Sequence, residues 1–260
     1  KTNVEFSLMP DAIQPDGAGH AIIAAEVVDT LDPEREIIGL IKISHTGTSW
    51  SSLGSEGGLV SQVGGSRSNL SFLWKAKSLP WALPNEAMIG MEVANIPDRF
   101  NSEKLHVVGL DPGDYRIKMA GQQLGEKFSH LQLAHGIALD RFYESPRYQR
   151  ARTVADLNAN RYKTSIQPLR DLWQRVKVTR VNFPGDKERL DAVMREVKPQ
   201  MSALRLPARE QADKISENAQ PLSRNIEVSR ILSATELKAL EKARKEAEAA
   251  AKAAAANGGS

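Results

Sequence analysis

Val4-Glu5-Phe6-Ser7-Leu8-Met9-Pro10-Asp11-Ala12-Ile13-Gln14-Pro15-Asp16-Gly17-Ala18-Gly19-His20 opens the chain with three signals in succession. Val4, Phe6 and Leu8 alternate with polar residues, the period of a strand buried on one face. Pro10 ends that run, and Asp11, Pro15, Asp16, Gly17 and Gly19 are turn formers. Ile22, Ile23, Val27, Val28 and Leu31 then fall on one helical stripe among alanines, and Pro33 stops the helix. The spacing predicts strand, loop and helix, a piece of the kind that closes an α/β sheet. The first residues, Lys1-Thr2-Asn3, lack both a Met and a charged lead into an apolar segment, so the chain reads as a fragment or processed product with sequence expected upstream.

From Arg35 to about Leu139 short β-rich runs take over. Ile37 to Ile43 is one, and the Gly/Ser stretch from Thr46 to Gly58 reads as a loop. Leu59–Val63 and Leu70–Trp74 flank Gly64-Gly65, a hairpin signal. The segment Leu79 to Pro84 is too interrupted by proline for a central strand. Leu105–Leu110 and Tyr115–Met119 bracket Asp111-Pro112-Gly113-Asp114, a turn, and Gly121 allows another reversal. This spacing predicts a small antiparallel module.

After Pro146 the pattern is helical. Pro168 kinks or restarts a first helix, a second runs from about Asp186 to Val197, and Pro199, Pro207 and Pro221 punctuate a more polar stretch. Ser233-Ala234-Thr235-Glu236 is a capping box ahead of a Glu/Lys/Arg/Ala helix. The fold class expected is therefore α+β, divided into residues 1–34 (the C-terminal piece of an α/β domain), 35–140 (β-rich accessory module), 141–200 (helical segment) and 201–260 (extended or helical charged tail).

Composition narrows the function. The 260 residues carry 35 Lys+Arg and 32 Asp+Glu, a net charge of +3, too small by itself to argue for nucleic acid. Apolar residues at 41% place the chain among globular proteins, and no run is long enough to span a membrane. With no cysteine there is no disulfide, thiol nucleophile or thiolate metal site. The histidines show no paired helical spacing, so no metal site and no cofactor are expected.

The block from Met9 to His20 resembles the last sequence block of the SGNH (GDSL-type) hydrolases: D-x-x-H-P, a few small residues, then G-H and a helix. Asp11 matches the family's triad aspartate, Pro15 the proline, and Gly19-His20 the start of the closing helix. The resemblance implies a flavodoxin-like α/β fold, an acyl-serine mechanism and O-acyl ester substrates, acetylated carbohydrate among them. A histidine base must reach the serine while a carboxylate fixes its tautomer. Gln14 stands at the histidine position, and a carboxamide cannot take that proton. His20 is the other candidate base, set against the plainer reading of a helix-start histidine bonded locally. The serine block and oxyanion donors precede this block in the family and cannot be placed on residues 1–10, so the chain alone is expected to be inactive.

The resemblance extends to about residue 180, over an extension found in planctomycete and verrucomicrobial members. It runs through Leu79-Pro80-Trp81, the V-x-G-L-x-P-G-x-Y pattern ending at Tyr115, Gly121 to Phe128, Leu133 to Leu139, and Pro146, Gln149, Ala151, Leu157-Asn158, Leu169-Arg170 and Trp173. It implies an extracytoplasmic protein, an acylated substrate and the rest of the hydrolase domain as partner, with no nucleic acid and no membrane span. Three other readings stand beside it. One is a catalytically dead SGNH-like protein that binds carbohydrate. Another is a non-enzymatic scaffold built on residues 36–140. The last is a polyanion strip along residues 141–180, where ten Lys+Arg meet three acids.

Overall fold

The computed structural model describes Met9, residues 13–34 and residues 37–257. The strand expected at Val4–Leu8 lies outside the described residues. The first helix, α1 (Gly17–Leu31), is present and ends before Pro33. The face it buries is not the expected one. Ala18, Gly19, Ala21 and Ala25 are buried, whereas Ile23, Val27 and Leu31 stand 48%, 50% and 79% exposed. Small residues win because α1 lies close against α2 (Met88–Val93). A Cβ added at Gly90 of α2 would come within 2.2 Å of the Ala18 carbonyl oxygen, so only glycine permits that approach.

Among the described residues, nine strands then build two sheets around one core. β1 (Gly39–Thr46) and β2 (Ser49–Glu56) form a four-stranded sheet with β5 (Glu103–Val108) and β8 (Ile137–Ala138), in the order β2-β1-β5-β8. β3 (Gly58–Ser66), β4 (Asn69–Ala76), β6 (Asp114–Met119), β7 (Gln122–Ser129) and β9 (Arg224–Arg230) form the other, in the order β3-β4-β9-β6-β7. The α+β class expected from sequence is thus present, although the module is not wholly antiparallel, since β1 and β5 run parallel. Alternate residues point inward as the two-residue period requires: Ile41 and Ile43, Leu105 and Val107, Tyr115, Ile117 and Met119 are all buried.

The sequence reading changes at several loops. Gly64 and Gly65 do not form the turn; they lie inside β3, opposite Ser71 and Leu70, and the chain reverses at Arg67-Ser68. The Gly/Ser stretch read as a loop is mostly β2, because pairing along β1 supplies the hydrogen bonds its own weak propensity does not favour. Asp111–Asp114 is a turn, but it carries the chain from β5 in one sheet to β6 in the other, so no hairpin forms. Ala120 (φ 50) and Gly121 (φ 85) do close a two-residue hairpin between β6 and β7.

Short helices fill the gaps: α3 (Ile96–Phe100), and α4 (His130–His135) ended by Gly136 at φ 107. α5 (Pro146–Arg161) starts on a Ser145 cap with proline in its first turn. A π-helical turn, Tyr162–Ile166, joins it to α6 (Gln167–Asn182) just before Pro168, which has no N–H to return to Thr164. α7 (Lys187–Ala219) is continuous through Pro199 and Pro207. Packing of Val197 and Met201 against Leu172 and Val176 of α6 outweighs the ~3 kcal/mol each internal proline costs.

Within the region read as a charged tail lies β9, the middle strand of the five-stranded sheet. Ile226 faces Phe72 on one side and Met119 on the other, and Val228 faces Leu70 and Ile117; all six are buried. The capping box holds as expected, with Ser233 N–H donating to Glu236 Oε2 at 2.8 Å ahead of α8 (Ala234–Asn257).

Candidate active site

The turn that leads into α1 is built by Asp16. Its Oδ1 accepts the Gly19 N–H at 2.8 Å, satisfying one of the amides a helix start leaves open. The same residue's carbonyl accepts both the His20 N–H at 2.9 Å and a contact from His20 Nδ1 at 2.7 Å. A carbonyl oxygen can only accept, so Nδ1 carries the proton and Nε2 is left as the basic nitrogen. This is the tautomer a general base needs, held here by a backbone group and not by a carboxylate.

Gln14 and His20 are both exposed on this turn. Asp11 lies outside the described residues. The flanking position is crowded from one side only: a Cβ at Gly17 would sit 2.9 Å from Cγ of Glu86, which brings the Asn85–Ala87 turn against the start of α1. Sequence reasoning saw Asp16 only as a turn former and did not mark Glu86. An Asp three residues ahead of Gly19, just before the helical spacing starts, was the available sign of a cap; nothing in the sequence ties Glu86 to this turn.

Beside the turn, an open groove of about 490 Å³ runs along α1 between Met9, Pro15, Ile22, Ile23, Val27 and Leu31. Among the described residues its charged lining residue is Glu26, held at 2.9 Å by Arg99 of α3, which also grips Asp29.

A second polar cluster lies deep between α5 and the sheets. Arg147 and Glu103, each with side chains 5% exposed, form an ion pair. Trp74 Nε1 donates to Glu103 Oε1 at 2.8 Å, and Arg147 Nη2 donates to the Ser78 carbonyl at 2.8 Å. The Glu103 amide donates to Asp140 Oδ1 at 3.2 Å. Burial pushes the Asp140 carboxyl above its ordinary range, against that amide and Arg141, which favour its charge. Every group here faces protein, which suits a structural joint.

The basic segment 141–180 is largely engaged with its neighbours. Arg141 meets Asp98 at 2.9 Å and Arg175 meets Glu196 at 2.8 Å. Arg150, Arg152 and Arg161 donate to the carbonyls of Gln220, Leu83 and Ala208. Backbone carbonyls at loop and helix positions thus occupy guanidinium donors that looked available for a polyanion, and leave their charge in place. Among the described residues no group of three His, Asp or Glu side chains could hold a metal ion, and no helix is long and apolar enough to cross a membrane.

A β-sandwich joined to a long helical hairpin, with a capped helix leading in, is an α+β arrangement that recurs in a solved structure. The chain is similar to a gut microbial diltiazem-metabolizing enzyme at a TM-score of 0.69 and 20% identity, over 87% of this chain. That likeness shows a shared fold. The match spans 57% of the enzyme's own length. No family model matches the chain, and no curated protein matches it.

Proposed function

We propose that the chain is the C-terminal part of an SGNH-type ester hydrolase acting on O-acyl esters, acetylated carbohydrate among them, and exported from the cytoplasm. The observation that carries the reading is the Asp11–His20 sequence block, whose described residues from Ile13 lead into a capped helix, with Gln14 and His20 both exposed at its start. The fold likeness to a solved enzyme that the match spans over only 57% of its length supports it. Asp11 would orient a base, and Gln14 occupies the base's usual position. The nucleophile would come from the other part of the hydrolase domain, leaving the 260 residues inactive alone.

A second reading is favoured by one detail. His20 is tied to the first turn of its own helix through Asp16, and Gln14 cannot titrate, which suits a dead frame that binds carbohydrate without cleaving it.

The test is acetate release from acetylated oligosaccharides and p-nitrophenyl acetate by the full-length gene product and by the 260-residue chain. The hydrolase reading expects turnover by the former, none by the latter, and loss of turnover on Asp11→Ala. Loss on His20→Ala as well would make His20 the base. A full-length product that is inert until Gln14→His is introduced supports the dead frame. A product inert with either residue overturns the hydrolase reading, and one that also fails to bind acetylated oligosaccharide overturns the dead frame.

A further inference from the structure

Between Asp156 and Asp186 the chain has six Lys+Arg (Arg161, Lys163, Arg170, Arg175, Lys177 and Arg180) against one acid, Asp171. Packing divides the charges of α6 among its faces. Leu172 and Val176 form the seam with Val197 and Met201 of α7. Asp171 and Arg175 line a groove on one flank with Gln200 and Leu204, and there Arg175 is paired with Glu196. The remaining flank shows Arg170, Trp173, Lys177 and Arg180, spaced three, four and three residues apart and so in one line along the helix. All four are exposed, and the indole of Trp173 is 49% open to water. Arg170 also donates to the Tyr162 hydroxyl at 2.9 Å, which holds a second exposed ring at the end of the line. Among the described residues no carboxylate pairs with Arg170, Lys177 or Arg180. Like charges on neighbouring turns of a helix repel, and an indole left in water adds nothing to a core, so stability does not explain this line.

We infer that this line is a binding face for an acidic polysaccharide, one bearing carboxylate or sulfate groups; the choice of a carbohydrate rests on the hydrolase reading above, which it narrows to a charged substrate. The negative face of an indole attracts the polarised C–H groups of a sugar ring laid flat on it. Arg170 and Lys177 stand about 10.5 Å apart along the helix axis with Trp173 between them, and Arg180 lies about 4.5 Å further on. A ring seated on Trp173 therefore has a cation toward each neighbouring sugar of the polymer. Arg170 and Arg180 add the planar fork that meets a carboxylate or sulfate with two hydrogen bonds. Two other anionic partners fit this face less well. A helix that lies on anionic lipid needs a continuous apolar face to bury, and the neighbours of Trp173 along this line are cations. Duplex nucleic acid is met by a broad basic surface on a strongly basic domain, whereas this chain has a net charge of +3 and a single line of free cations on α6. The ester site at the start of α1 and the line on α6 would then hold different parts of one polymer.

Binding of polygalacturonate and of dextran sulfate to the 260-residue chain tests this, with thermal melts confirming that each variant folds. Lys42 and Lys104, both exposed on the four-stranded sheet, give a control that removes two charges elsewhere. Affinity for at least one of the two polymers is expected to fall roughly tenfold with Lys177→Gln and Arg180→Gln combined and roughly fivefold with Trp173→Ala, but by less than about twofold with Lys42→Gln and Lys104→Gln combined. The dependence of affinity on salt should also become shallower in the Lys177→Gln, Arg180→Gln variant alone. Tryptophan emission should move to shorter wavelength on binding, and that shift should vanish in Trp173→Ala. The polymer that responds shows whether carboxylate or sulfate is the recognised group. Affinity that falls as far in the control as at Lys177 and Arg180 overturns the inference, as does neutral dextran bound as tightly as the acidic polymers, or no binding of either acidic polymer. Tighter binding at the same salt to duplex DNA or to phosphatidylglycerol vesicles assigns the face to phosphate groups and also overturns it. Turnover of p-nitrophenyl acetate by the full-length gene product reports the hydrolase reading separately. Binding in a product inert toward that ester keeps the polysaccharide face and removes the esterase, and turnover without binding does the reverse.

Discussion

Arg147 and Glu103 neutralise each other in a place water does not reach, so each depends on the other. Glu103→Gln leaves the guanidinium charge without its counter-ion and is expected to cost about 3–5 kcal/mol in urea unfolding, whereas Glu103→Leu combined with Arg147→Met recovers most of that loss. A double variant as unstable as the single one contradicts this account. Tyr143 makes a different kind of contact, donating to Glu92 Oε1 at 2.9 Å. Burial and that carboxylate push its phenol up to about 12, from an ordinary value of 10. The folded state thus holds the proton more firmly than the unfolded chain. The stability this gives is full below pH 10 and lost as pH rises toward 12. The phenol is partly exposed, so about 1 kcal/mol is expected. Tyr143→Phe should therefore be less stable than wild type by about that much at pH 9, and the gap should close at pH 11.5; a gap that widens with pH refutes the assignment.

Caps and turns carry the next level. Asp16 organises the start of α1 through one side-chain bond, so Asp16→Ala is expected to destabilise the protein by ~1 kcal/mol. Its amide signals at Gly19 and His20 should also exchange with solvent faster than those at Ala25; unchanged protection at the helix start would show that the bond does nothing. The pattern ending in Tyr115 gains a physical meaning at this scale. Gly109 sits at φ 96 with His45 Cβ 2.8 Å from where its own Cβ would be, and the Tyr115 hydroxyl donates to the Asp111 carbonyl at 2.7 Å. Together they tie down the crossover from one sheet to the other. The turn residues were legible in the sequence. Their destination was not, because Asp-Pro-Gly-Asp bends a chain equally well within a sheet or between two.

The whole molecule closes through β9. The strand returns after the helical excursion and supplies two buried cross-strand rows in the middle of its sheet. A chain ending at Ala219 is expected to lose its cooperative thermal transition, since β4 and β6 would each face an open edge. A chain ending at Ser233, lacking only α8, should melt within a few degrees of the full 260 residues. Cooperative melting of the shorter form would mean that the sandwich does not need its central strand.

Local chemistry determined a great deal about this protein: the extent of α1 before Pro33, the Ala120-Gly121 reversal, the Ser233–Glu236 box, the restart at Pro168, and the α+β class that these periods add up to. Each depends on neighbours within a few residues, where dihedral limits and first-turn hydrogen bonds act with nothing else needed. The tertiary structure alone decided which side of α1 is buried, that β1 and β5 run parallel, that two prolines stay within α7, and that residues 224–230 are core. Those outcomes depend on partners far away in sequence. Alanines face inward on α1 because Gly90 allows a backbone to approach, and a polar-looking segment becomes a central strand because Phe72 and Met119 stand ready on either side of Ile226. Burial is a property of pairs of surfaces, and a single sequence states only one surface of each pair.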